Sequence, residues 1–240
     1  MVSLFLCALC GKKRLTTMLP RILEPEVMDT AGDAQEYNAM DHSVVNAEFV
    51  GDLLRMVMDY SRPPLEKFLD LGAGTAQILI ELACRAPNVQ ITAVDAAESM
   101  LALARENVAR ANLTDRIELV LADAKELPFE NIVYDIVISN SILHHIPDPR
   151  TVVAEAIRVT ASGGLLFHRD LARPNDEVTL QQLVATYAAD STPYQRKLFT
   201  ESLYAALTVE EMRDLVTNFG FAADTVQMTS DRHWTWVATK

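Results

Sequence analysis

The stretch Phe68-Leu69-Asp70-Leu71-Gly72-Ala73-Gly74-Thr75 decides the fold. It reads as a short buried strand running into a glycine loop, and a helix over 75–85, rich in Ile, Leu and Ala, follows it. Glycines at a strand exit let backbone approach a ligand closely, on the sheet edge where open α/β folds bind. Outward from this stretch, strands and helices alternate. Strands fall at 89–94, 117–121, 134–139 and 165–168, with helices at 99–111 and 150–159. Near-continuous apolar strands between helices imply a parallel sheet covered on both faces.

Upstream, 36–59 reads as helix, broken near Asp41, with Val45, Phe49, Leu53 and Val57 as its core stripe. Ser61-Arg62-Pro63-Pro64 ends it. Beyond the double glycine Gly163-Gly164 and the strand it opens, the order changes. Residues 176–207 are mostly helical, with a break at Ser191-Thr192-Pro193, and Thr208 with Glu211 forms a capping box for another helix closed by Gly220. Strands at 221–228 and 233–238 are joined by Thr229-Ser230-Asp231-Arg232, too short for a helical crossover, so they pair antiparallel.

The chain has 240 residues, half of them hydrophobic, and a net charge of −12 from 21 basic and 33 acidic residues. This is globular composition of single-domain length. A nucleic-acid binder shows a basic stripe. The only tight basic cluster here is Lys12-Lys13-Arg14, and the lack of a basic stripe disfavours an anionic membrane surface as well. The apolar run Val2 to Cys10 is too short to span a bilayer, and its positive charges follow it, unlike a secretory signal. Three cysteines are too few for a disulfide framework, Cys84 falls in a helix expected to be buried, and a reducing cytoplasm is the expected compartment. Cys7-Ala8-Leu9-Cys10, without a second pair or a following His, is a weak metal signal, and no metal site is expected. Residues 1–17 are expected to be a disordered or edge-packed tail, with Met18 an alternative start.

A dinucleotide fingerprint wants a third small residue three positions after the second glycine, and Gln77 stands there. Asp70, two residues ahead of Gly72, repels a phosphate and attracts an ammonium or sulfonium group. Asp95 ends the second strand, 21 residues after Gly74, where a carboxylate accepts from ribose hydroxyls. Asp123 ends the third strand, where it accepts the exocyclic amine of adenine. Together they outline an adenosine site with a carboxylate at its amino-acid end.

From about Tyr37 to its C-terminus the chain resembles the class I S-adenosylmethionine-dependent methyltransferases. The resemblance rests on the glycine loop, on Asp95 followed by Met100-Leu101, and on Ala122-Asp123-Ala124 with Leu127-Pro128-Phe129. It continues through Tyr134-Asp135-Ile136-Val137-Ile138-Ser139-Asn140, Leu143-His144-His145, Glu155, Arg158-Val159 and Gly163-Gly164. Within the family it looks most like the branch of small-molecule enzymes with ubiquinone- and menaquinone-type C-methyltransferases. The implied fold is Rossmann-like and doubly wound, a mostly parallel seven-stranded sheet with an antiparallel last strand. The implied organisation is a helical segment at 18–64 and a core at 65–240, with a helical lid inserted at 171–207 before the last two strands. The implied cofactor is S-adenosyl-L-methionine, held by Asp70, Gly72, Ala73, Gly74, Asp95, Ala96, Met100, Asp123, Ala124 and Asn140, and by Tyr37 against a reading as an ordinary half-buried helix tyrosine. Two positions depart from the family: Ala97 replaces a Ser or Thr N-cap, and Ala161-Ser162 replaces Lys-Pro before the double glycine.

Methyl transfer from a sulfonium is an in-line displacement with a good neutral leaving group, so it needs alignment more than an acid–base pair. His144, after the fourth strand, is the candidate base where the acceptor must lose a proton, against a purely structural reading. His42, His145, Arg169 and Asp170 are candidate acceptor contacts, against readings as surface or mutually paired residues. Tyr187, Tyr194, Phe199 and Tyr204 either wall the acceptor pocket or form helix–helix core. The expected function is methylation of a small molecule, without nucleic acid or membrane as partner; a homodimer is allowed. The alternatives are an NAD(P)-dependent oxidoreductase, disfavoured by Asp70 and Gln77, and a non-catalytic nucleoside-binding module on the same fold.

Overall fold

In the computed structural model, the described residues are 18–25, 29–60 and 66–240. The tail with Cys7 and Cys10, and the Ser61-Arg62-Pro63-Pro64 linker, lie outside them. The strands β1 (Lys67–Leu71), β2 (Gln90–Asp95), β3 (Ile117–Leu121), β4 (Tyr134–Asn140) and β5 (Thr160–Leu171) are all parallel. β6 (Val226–Met228) and β7 (His233–Thr239) complete a seven-stranded sheet of order β3-β2-β1-β4-β5-β7-β6, with β7 antiparallel to both its neighbours. The chain winds outward from β1 to β3, then returns to lay β4 against the free edge of β1. Strand order therefore reverses between β1 and β4, and the crevice beyond their carboxyl ends is where such sheets bind ligands.

Alternation along β1 feeds two cores. Leu69 and Leu71 join Val152, Val153 and Ala156 of α5 (Arg150–Val159) and Met212 and Val216 of α8 (Val209–Thr217). Phe68 joins the opposite layer with Phe49 and Leu53 of α2 (Ser43–Asp59), Leu79 and Leu82 of α3 (Gln77–Arg85), and Ala104 of α4 (Glu98–Arg110). The upstream helix is broken as the sequence implies: α1 (Ala31–Ala39) stops before Asp41 and α2 restarts at Ser43. The Thr208–Glu211 capping box is present on α8. Glycine 163, at φ +71°, and Gly164 lie within β5, and a Cβ on Gly164 would sit 2.8 Å from the Asp135 carbonyl oxygen. The double glycine thus lets β5 pass close to β4 at its register shift.

Two expectations need correction. The strand expected at 221–228 is only three residues long, because Ala223–Thr225 forms a 3₁₀ turn in which the Thr225 hydroxyl donates to the Ala222 carbonyl at 2.6 Å. Cys84 lies on the solvent side of α3 and is exposed, while Leu82 and Ala83 face the core. Between β5 and α8, α6 (Glu177–Tyr187) and α7 (Pro193–Ala205) build a small core of their own from Leu180, Leu183, Val184 and Leu203. No described helix is long and apolar enough to cross a membrane.

Candidate active site

The glycine loop closes onto the neighbouring strand. Both Gly72 and Ala73 donate backbone N–H groups to the Val94 carbonyl at 2.9 Å, and Gly74 donates to Asp95 Oδ2 at 2.7 Å. Gly72 and Gly74 have φ of +79° and +52°, open to glycine at little cost. At Gly72 the space for a Cβ is filled by Ile142, so its glycine is needed for packing; at Gly74 the nearest atom is Tyr37 Cε1, 3.7 Å away. Asp95 Oδ1 accepts from Ala97 N–H at 2.9 Å, which leaves each carboxylate oxygen a further lone pair for a ribose hydroxyl.

Asp70 is the distinctive group. Its residue is 5% exposed, and no cation pairs with it among the described residues. Burial, reinforced by the charge of Asp95, pushes its carboxyl up to about 8. A buried carboxyl in this condition fits a ligand that brings its own positive charge.

The N-terminal segment covers the loop, and much of this was not legible beforehand. Asn38 Oδ1 accepts from Gln77 Nε2 at 3.2 Å and from Asn107 Nδ2 at 3.0 Å, tying α1 to α3 and α4. Gln77, which argues against a dinucleotide in the sequence, is thus a tie for this cover. Asp29 accepts from the Ser99 N–H at 3.1 Å and hydroxyl at 2.9 Å, so a residue distant in sequence caps α4 where Ala97 cannot. Ala34 packs on Ala97 and Met100, and Tyr37 comes to lie against Gly74. Burial and the charges of Asp95 and Asp70 raise the Tyr37 hydroxyl above its usual range. The His42 ring lies tilted against Tyr37, centroids 5.1 Å apart, and is partly buried rather than a surface residue; among the described residues nothing pairs with its buried Nε2. Ala96 is exposed and Met100 buried at the start of α4.

At the third strand, Asp123 is exposed and already engaged: its carboxylate accepts from the Lys125 N–H at 2.8 Å and pairs with the Lys125 ammonium. Ala124 is buried. The loop beyond it is fixed by α5, with Glu155 accepting from Leu127 N–H at 2.7 Å and Arg158 donating to the Phe129 carbonyl at 2.7 Å. Asn140 ends β4 with its amide directed to the Ser141 hydroxyl.

The residues after β4 and at the end of β5 behave differently from the expectation. His168-Arg169-Asp170 does not present two ligands to one pocket, because strand alternation sends Arg169 and Asp170 to opposite faces. Arg169 lies near the rings of Phe49 and Phe167, donates to Thr235 Oγ1 at 2.9 Å and pairs with Asp52 of α2, so it is a structural cation rather than an acceptor contact. Asp170 is also fully engaged. It accepts from the N–H groups of Leu143, His144 and Leu171, and its Oδ1 lies 2.5 Å from His144 Nδ1. Burial would raise its carboxyl, but the His144 charge and hydrogen bond hold it below the usual range. His144 is 4% exposed, with Nε2 3.4 Å from Glu24 Oε1. Burial alone would lower it, yet Asp170 and Glu24 keep it above the usual histidine range. Clamped between two carboxylates, His144 is poorly suited to the role of free base. His145, 22% exposed, is the accessible member of the pair and stands 3.0 Å from Glu24. The extended segment that carries Glu24 is anchored three residues earlier by Arg21, which donates to the carbonyls of Ala205 and Ile146 at 2.7 and 2.9 Å. Nothing in the local sequence marks Arg21 or Glu24 as site residues.

The aromatics of the insertion are mainly structural. Phe199 and Tyr204 pack on the α6–α7 core, and Tyr187 lies under Arg232 and donates to Asp231 at 2.7 Å.

Residues 69–168 match the family model described as a methyltransferase domain. Over those residues the chain carries a methyltransferase domain. This domain is 33% identical over 140 residues, 58% of each chain, to a demethylmenaquinone methyltransferase of Bacillus cytotoxicus. It is 33% identical over 157 residues to a malonyl-[acyl-carrier protein] O-methyltransferase of Geobacter sulfurreducens, covering 65% of this chain and 55% of that one. The chain therefore spans little more than half the length of these curated relatives. Among solved structures it is similar to the plantazolicin methyltransferase BpumL bound to a desmethyl analogue and S-adenosylhomocysteine, at TM-score 0.66 and 13% identity over 86% of this chain and 89% of that one. It is also similar to an S-adenosylmethionine-dependent methyltransferase of Aquifex aeolicus, at TM-score 0.61 and 14% identity over 88% and 98%. At these identities the structures speak for the fold alone.

Proposed function

We propose that this protein methylates a small-molecule acceptor, with S-adenosylmethionine as donor. The observation that carries this reading is Asp70: a buried carboxyl at the β1–β4 switch point, beside a glycine loop, with no cation of its own among the described residues. When bound, the donor supplies a methyl group made electrophilic by its sulfonium. Asp70 would then hold the ammonium of the amino-acid end, Asp95 the ribose hydroxyls, and Tyr37 the outer wall. Met100, Ala124 and the loop fixed by Glu155 and Arg158 would flank the adenine. The chain contributes alignment and exclusion of water by the α1 cover, which suffices for a displacement that needs no acid.

The acceptor side lies under α6 and α7, which serve in this reading as its lid. The partly exposed His145, and the buried His42 Nε2 that nothing pairs among the described residues, are the polar groups this reading offers to an acceptor. A net charge of −12 without a basic stripe supports a small molecule over a nucleic acid, and three cysteines without a disulfide pattern support a reducing compartment.

Calorimetry tests the donor half. S-adenosylhomocysteine should bind in the micromolar range and NADH should not; tighter binding of NADH overturns the reading. A screen of acceptor classes with methyl-labelled donor tests the rest, and salt-sensitive RNA binding in a gel shift would sink the small-molecule part.

A further inference from the structure

Methyl transfer as described uses neither Glu24 nor the inward-facing nitrogens of the two histidines. We propose that Glu24, His144 and His145 form a binding site for a zinc-class divalent cation. Their three donor atoms lie within 4.8 Å of one another. Glu24 Oε1 is 3.4 Å from His144 Nε2 and 3.0 Å from His145 Nδ1. A tetrahedral Zn²⁺ with nitrogen and oxygen ligands has edges of about 3.3 Å, so two edges are already at their working length.

The surroundings suit a metal as well as the distances do. A metal-bound histidine usually donates its other nitrogen's proton to a carboxylate, which fixes ring and tautomer. His144 has this partner in Asp170, whose Oδ1 is 2.5 Å from Nδ1, and Asp170 is itself anchored by the N–H groups of Leu143, His144 and Leu171. A metal that displaces the Nε2 proton would find that nitrogen's lone pair facing Glu24. Glu24 is 8% exposed and held by the Ser202 hydroxyl of α7 at 3.2 Å, so its position is set by tertiary structure. The carboxylates of Glu24 and Asp170 supply negative charge on both sides of the His144 ring, which favours a cation there. Two imidazoles and one carboxylate select zinc, cobalt or nickel over magnesium or calcium. Three protein ligands leave a fourth position open, as in catalytic rather than structural zinc sites, and the exposure of His145 puts the entry on its side. Use of that position to bind an acceptor oxygen would rest on the methyl-transfer reading; metal binding itself does not.

The test uses the full chain carrying Cys7→Ser and Cys10→Ser, so that the tail thiols cannot supply a competing site. After chelator treatment it is titrated with Zn²⁺ by calorimetry and with Co²⁺ by visible absorption. The expected result is one equivalent bound, with the strong visible bands of four-coordinate cobalt. Glu24→Gln and His145→Ala should each weaken binding by at least roughly tenfold. His233→Gln, a histidine elsewhere, should leave it unchanged. S-adenosylhomocysteine binding is measured on every variant as the check on folding and, separately, on the methyl-transfer reading. Absence of stoichiometric binding, or binding in Glu24→Gln and His145→Ala as tight as in the parent chain, overturns the site. Zinc binding in a chain that ignores S-adenosylhomocysteine leaves the site standing and removes the methyl-transfer reading instead.

Discussion

Two buried aspartates sit at the ends of two strands of one sheet and have opposite electrostatics. Asp170, on β5, receives a histidine nitrogen and three backbone N–H groups, and its carboxyl is held below the ordinary range. Asp70, on β1, faces no cation among the described residues, and its carboxyl is pushed up to about 8. Burial is almost the same, 1% and 5% exposed, so partners and not depth make the difference. The β5 region is completed by the chain itself; the β1 region is left incomplete. A buried charge without a protein partner is costly, and such cost is tolerated where a ligand removes it.

The hardest blow to this contrast falls on β5. Asp170→Ala leaves His144 and three N–H groups without their partner, and should cost about 3–5 kcal/mol of stability by denaturant unfolding. A loss below about 1 kcal/mol would mean the pair is not an integral part of the fold. The pH dependence has a defined sign. The Asp170 contribution is present above the ordinary aspartate pKa and lost as pH falls through its lowered one. The His144 contribution is full below the ordinary histidine pKa and lost as pH rises through its raised one. The wild-type advantage over Asp170→Ala should therefore be largest between these limits.

Asp70→Asn should do the reverse. S-adenosylhomocysteine affinity should fall by about 1–3 kcal/mol through loss of charge-assisted contacts, and Asp95→Ala should fall by a similar amount. Stability of the free protein should not fall with it. Asp70 has a folded pKa near 8, above its unfolded value, so its ionisation costs stability as pH rises through that window, and Asn removes the cost. A variant that loses stability at pH 8 as Asp170→Ala does would break the contrast.

A finer measure is proton release. At pH 7 a free Asp70 with a pKa of about 8 is mostly protonated, so binding a cationic ligand should expel close to one proton. Calorimetry in two buffers of different ionisation enthalpy reads this directly, and Asp70→Asn should abolish it. The smallest effect is expected at Asn38. Asn38→Ala cuts the ties from α1 to Gln77 and Asn107 and should weaken cofactor binding by about 1 kcal/mol or less, since each hydrogen bond has a water substitute.

Local pattern made the sheet, its helices and the open carboxylate legible. Apolar runs of strand length, helices between them, and an aspartate ahead of two glycines are properties of neighbouring residues, and they point to the β1 tip. The antiparallel return of β7 followed from a four-residue connection too short to cross over. The β5 side was not legible in the same way. His168-Arg169-Asp170 reads as a polar cluster, but strand alternation divides it between two cores, and which face holds Phe49 or His144 depends on packing. Arg21, Asp29, Glu24 and Asn38 carry no local signal, because their partners at Ile146, Ser99, His145 and Asn107 are distant in the chain. Hydrogen bonds and ion pairs act over a few ångströms of space regardless of sequence separation. The amino-acid order therefore determined the elements and the pocket they open, while tertiary folding decided which charges were neutralised and which was left for a ligand.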